Sequence, residues 1–143
     1  MKYRYQFVLI MPKRKAILAT RNDGEIEVPQ ILKENFESPL DVVCEICPGL
    51  DEISTPRVIR VIEKKGEIIL TYLVFVDFVD DLSNIKINGY YYATAKTKSY
   101  HSTEITSDTE DILSDFAWPL EDMFENYKKS KKKNFFSWLK LNC

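Results

Sequence analysis

Within SPLDVVCEICPGL, residues 38–50, two thiols and two carboxylates stand close together. On a helix, Asp41 and Glu45 lie one turn apart and share a face, as oxygen ligands of a hard cation would. Cys44-Glu45-Ile46-Cys47 has the spacing of a redox pair or of half a zinc site. The helix itself is well marked. Ser38 suits the N-cap, Pro39 the first helical position and Asp41 the third, as in a capping box, while Pro48-Gly49 stops it. Leu40, Val43, Cys44 and Cys47 then fall at i, i+3, i+4 and i+7, one apolar stripe. That stripe assigns both cysteines to packing. A redox cysteine sits at a helix N-terminus, where the dipole lowers its pKa, and these sit at the opposite end. Zinc needs about four ligands, and beyond this pair the chain offers only Cys143 and His101. Two buried thiols without metal are expected.

Other chemistry has less to stand on. His101 lies in a Ser/Thr-rich, acidic stretch, HSTEITSDTED (101–111), which reads as a solvated loop. No G-x-S-x-G elbow supplies a nucleophile, and the four glycines are dispersed, so no phosphate-cradling loop exists. Asp108, Glu110, Asp111 and Asp115 could gather a cation or a basic partner, but such a charged run ordinarily faces water. The C-terminal KKSKKKNFFSWLKLNC (128–143) sets Lys131, Lys132 and Lys133 beside Phe135, Phe136 and Trp138. Basic residues next to aromatics suit anionic lipid headgroups, nucleic-acid phosphates or an acidic partner. They equally suit a lysine-faced helix whose aromatic end packs on the body.

A chain of 143 residues is expected to form one domain, residues 1–127, with 128–143 as a basic and aromatic extension of the last helix. Six of the twenty Lys/Arg lie in that extension, leaving fourteen against twenty-two Asp/Glu in the body. Such an acidic body repels nucleic acid, so any such contact belongs to the tail. The N-terminal apolar run ends in Pro12-Lys13-Arg14-Lys15 rather than a cleavage site, and no segment has the roughly 20 apolar residues of a membrane span. An odd cysteine count fits a reducing compartment, and a cytoplasmic location is expected.

Strands surround the helix. Tyr3, Tyr5, Phe7 and Leu9 alternate with Lys2, Arg4, Gln6 and Val8. KAILAT (15–20) and GEIEV flank the Asn22-Asp23-Gly24 turn as a hairpin. PRVIRVIE (56–63) and EIILTYLVFVDFV (67–79) flank Lys64-Lys65-Gly66, and NIKINGYYYATAKTKSY (84–100) carries an Asn88-Gly89 turn. Pro119, Glu121 and Asp122 open a terminal helix with Leu120, Met123, Phe124 and Tyr127 inward. Strands, short helix, strands, helix is an α+β order with a mixed or antiparallel sheet.

Three segments resemble the Nudix superfamily. AILATRNDGEIEVPQ (16–30) looks like its strand–turn–strand approach. FESPLDVVCEICPGL (36–50) looks like the end of its catalytic motif. EDILSDFAWPLEDMFENY (110–127) looks like its late acidic and Trp-containing helix. The resemblance implies a sheet flanked by helices and carboxylates holding Mg²⁺ against a diphosphate. The family motif, G-x(5)-E-x(7)-R-E-U-x-E-E-x-G-U with U aliphatic, can be anchored on Gly49 and Leu50. Glu34 then matches its first Glu, but Val28 replaces its Gly, Val42-Val43 its Arg-Glu and Ile46-Cys47 its Glu-Glu. A one-residue gap restores Glu45 at one position, with Asp41 in place of the Arg. The expectation is a catalytically degenerate Nudix-like domain, without metal, that binds a nucleotide-type ligand or a protein partner. The alternative is a divergent Mg²⁺-dependent hydrolase of nucleoside-diphosphate-linked compounds using Glu34, Glu37 and Glu45. A small α+β interaction module with a basic tail is the third reading.

Overall fold

The structure, a computed structural model, describes residues 1–11, 16–22, 25–47, 52–77, 90–94, 107–109 and 111–112. Its centre is β1, Lys2–Met11, which runs parallel to β7, Glu67–Asp77, in a register from Lys2↔Glu67 to Ile10↔Phe75. On its other edge β1 has two antiparallel neighbours in succession. Tyr3–Gln6 pair with β4, Gln30–Lys33, and Leu9–Met11 pair with β2, Ala16–Asn22. The expected hairpin forms between β2 and β3, Glu25–Glu27, and β2 also pairs with β8, Tyr90–Thr94. Beyond β7 lie β5, Glu52–Ile53, and β6, Arg57–Lys64, both antiparallel to it. Among the described residues the result is a mixed sheet of eight strands. The α+β reading holds.

The β6–β7 connection follows from its residues. Lys65 (φ 50°) and Gly66 (φ 78°) both take positive φ, as a two-residue type I′ hairpin requires. At the other end of β6 the register slips between Val58 and Arg60. That bulge helps blunt a strand that leaves Val58 and Val61 half-exposed or more.

The helix α1, Pro39–Ile46, covers one sheet face. Val42, Val43 and Cys47 pack there with Tyr5, Phe7 and Leu9 of β1 and Leu70, Tyr72 and Val74 of β7. The stripe expected from sequence is rotated: Val42 is fully buried, while Leu40 and Cys44 are only partly so. Eight residues form barely two turns, so the docking angle decides which side chains sink, and periodicity alone cannot fix that angle. Ser38 occupies the N-cap but makes no side-chain cap bond. The approach to the helix is held from the sheet instead. Tyr5 Oη donates to the carbonyl of Glu37 at 2.8 Å and accepts from its N–H at 2.7 Å.

Three further expectations are corrected. β1 is buried on both faces from Tyr5 to Met11, so its alternation ends at Val8 and Ile10, as befits a central strand beside a parallel neighbour. The acidic segment is helical at 107–109 and again at 111–112, rather than loop. Thr109 and Ile112 are buried there, and Thr109 Oγ1 accepts the Val28 N–H at 3.2 Å. Finally, Cys47 is buried and outside any disulfide but Cys44 is disulfide-bonded, so CEIC is not a pair of equivalent buried thiols. Among the described residues no helix is long and apolar enough to cross a membrane.

Candidate functional site

The carboxylates singled out in the sequence lie at the end of β4 and on α1. β4 pairs antiparallel with β1 and sets Lys33 opposite Tyr3, on the sheet face that α1 covers. Six residues later the chain enters α1, carrying Glu34 and Glu37 ahead of it and Asp41 and Glu45 along it. Lys33 Nζ lies 2.6 Å from Glu45 Oε2 and 3.6 Å from Glu37 Oε2. Two of the three proposed metal ligands thus converge on one cation, and that cation is a lysine. The Lys33 side chain is mostly covered, while those of Glu37 and Glu45 stay about half-exposed. The hydrogen bond to Glu45 raises the lysine pKa above its ordinary value, against a lesser desolvation, with the Glu37 charge adding to it.

Glu34 and Asp41 are exposed, and among the described residues neither joins the Lys33 cluster. No group of three His, Cys, Asp or Glu side chains able to hold a metal occurs among the described residues. Magnesium demands near-octahedral oxygen coordination at about 2.0–2.1 Å. Glu45 instead accepts a hydrogen bond from the Lys33 ammonium, with Glu37 3.6 Å from it.

Aromatic residues frame the same site. Phe36, between Glu34 and Glu37, is 58% exposed and meets Tyr3 edge-on at 5.7 Å. Behind it Tyr5, Phe7 and Tyr72 stack, with centroids 5.7–6.4 Å apart. Burial raises the pKa of both the Tyr5 and the Tyr72 hydroxyls. Lys33 and Phe36 were not singled out in the sequence. The i, i+4 spacing of Lys33 and Glu37 was visible, but its meaning depended on where β4 ends.

The opposite face carries a polar cluster that sequence reading also missed. Gln6 is buried; its Nε2 donates to Asp108 Oδ2 at 2.8 Å and to Gln30 Oε1 at 3.3 Å. Its Oε1 accepts from Thr71 Oγ1 at 2.9 Å and from Arg60 Nη2 at 3.3 Å. Asp108, read as a solvated acid, keeps its side chain 60% exposed and also ties the 107–109 turn to the sheet. His101, Glu110, Asp115, Cys143 and the tail residues Lys131, Lys132, Lys133 and Trp138 lie outside the described residues.

No family model matches the sequence. No curated protein matches it either. Solved structures do match. A Nudix-family hydrolase from Clostridium perfringens superposes with TM-score 0.58 at 8% identity, over 80% of this chain and 94% of its own. A protein assigned to the Nudix hydrolase family from Chromobacterium violaceum gives 0.57 at 11%, over 92% and 91%. A longer Sinorhizobium meliloti 1021 protein, described as an oxidoreductase, gives 0.59 at 17% identity; the match covers 85% of this chain but only 39% of that one. With β1 parallel to β7, α1 laid on one face and these superpositions, the chain has a Nudix-like α+β fold.

Proposed function

We infer that this is a Nudix-like domain working by binding rather than by metal-dependent hydrolysis. The observation that carries the reading is Lys33, whose ammonium sits 2.6 Å from Glu45 and 3.6 Å from Glu37. An internal cation supplies the charge balance for which the family's motif recruits a metal. Val42 and Val43 point the same way, since both are buried in the α1 packing face and offer no oxygen. The ligand that suits the site is of nucleotide type. Exposed Phe36 offers a stacking surface to a base. A protein partner covering Phe36 is the other occupant of the same surface.

The experiment is incubation with a panel of nucleoside-diphosphate derivatives and Mg²⁺ or Mn²⁺. Negligible turnover is expected, with saturable quenching or ordering at Phe36 in ligand-detected NMR for at least one nucleotide. The alternative of a divergent hydrolase draws on the convergence of Glu37 and Glu45. Robust metal-dependent release of a monophosphate, abolished by Glu45→Gln, would establish it and overturn the binding reading.

A further inference from the structure

We propose that the cavity on the sheet face opposite α1 is a second site, which binds a small phosphate ester through Lys64, Lys65 and Arg4. The cavity has a volume of about 380 Å³, within the roughly 300–1,000 Å³ typical of small-molecule sites. It lies where β1, β4 and the β6–β7 turn meet the 107–109 turn. Arg4 pairs in register with Leu32 and Ile69, and Lys33 with Tyr3, so the two sites occupy opposite faces. Neither proposal depends on the other.

The charges around the cavity are unequally committed. Its two carboxylates are both engaged. Glu67 accepts from Arg4 Nε at 3.0 Å and Nη2 at 3.2 Å, and Asp108 accepts from Gln6 at 2.8 Å and Arg60 at 3.3 Å. The two lysines are not: among the described residues neither the Lys64 nor the Lys65 side chain has a hydrogen bond or ion pair. Positive φ at Lys65 and Gly66 holds the two ammonium stems at the rim on a tight turn instead of a long loop. Arg4 is fixed by its paired bonds to Glu67, which leave Nη1 without a partner among the described residues. The uncommitted charge of the lining is therefore positive, although the chain as a whole carries −2. A dianionic phosphate satisfies three adjacent cationic donors better than a carboxylate does, because it presents more acceptor oxygens and more charge.

The remainder of the lining selects a polar body for that ligand. Gln6 is locked by four hydrogen bonds and Gln30 donates to Glu27 at 3.0 Å, so these amides form a preorganised floor. Ile69 supplies the apolar part. A sugar phosphate or nucleoside monophosphate has a size and charge that suit the cavity; an apolar ligand would desolvate the rim lysines without pairing them.

The test is isothermal titration calorimetry of the full chain with ribose 5-phosphate, AMP, inorganic phosphate and ribose. One-to-one binding of at least one phosphate ester is expected, with none for ribose. The double variant Lys64→Ala/Lys65→Ala should weaken it by roughly tenfold or more at an unchanged melting temperature. Lys64→Arg/Lys65→Arg should retain it. Absence of binding by both esters, or binding that survives the double alanine variant, would overturn the assignment.

Discussion

The hydroxyl of Tyr5, rather than a side-chain cap, secures the start of α1, and a single-atom deletion tests this. Tyr5→Phe removes two hydrogen bonds to the Glu37 peptide groups, at 2.8 and 2.7 Å, while leaving the ring stacked on Phe7 and Tyr72. Each such bond contributes about 0.5–1.5 kcal/mol net. Glu37 is exposed, so its freed peptide groups regain water, and the cost falls in the lower part of the sum, about 1–2 kcal/mol. With a urea slope of about 2 kcal/mol/M for a domain of this size, the midpoint should drop by about 0.5–1 M. The companion variant is Ser38→Ala. A bonded N-cap is worth about 1 kcal/mol, but Ser38 makes no cap bond, so its removal should cost under about 0.5 kcal/mol. Urea melts followed by circular dichroism, with hydrogen exchange at the Val42 and Val43 amides, check both. A Tyr5→Phe midpoint within about 0.2 M of the unmodified chain, or a larger loss from Ser38→Ala, would refute the reasoning.

Gln6→Leu leaves Thr71 and Asp108 without their shared partner and should destabilise by about 1–3 kcal/mol in the same urea melts. Cys47→Ser places a hydroxyl in a fully buried apolar site and should cost about 1–3 kcal/mol. The Arg4 hydrogen bond holds the Glu67 carboxyl below its ordinary value of 4.5, so its stabilisation is present above that value and lost as pH falls through the lower folded one. The melting-temperature gap between the unmodified chain and Glu67→Gln, clear at neutral pH, should therefore close in acid. Lys33 behaves oppositely: its pKa is raised by Glu45, so its contribution persists through neutral pH and fades as pH rises through the folded value. Lys33→Met should accordingly lose its effect on melting temperature in strong alkali.

Much of the fold was legible locally. Lys64-Lys65-Gly66 marked a hairpin because positive φ is a property of the residues in the turn. Ser38-Pro39 marked the start of α1 because proline acts on its own backbone. What tertiary structure decided was everything that depends on a neighbour distant in sequence. Strand β4 is four residues without strict alternation, and it exists because β1 offers an edge. The tilt of α1 on Tyr5 and Tyr72 chose Val42 over Cys44 for burial. Gln6 and Asp108, 102 residues apart, became a part-buried anchor only when the 107–109 turn met the sheet. The same holds at the candidate site. The sequence supplied Glu37 and Glu45 as possible ligands of a cation, and the pairing of β4 with β1 brought Lys33 to them, because a charge is defined by its residue but its partner by the fold.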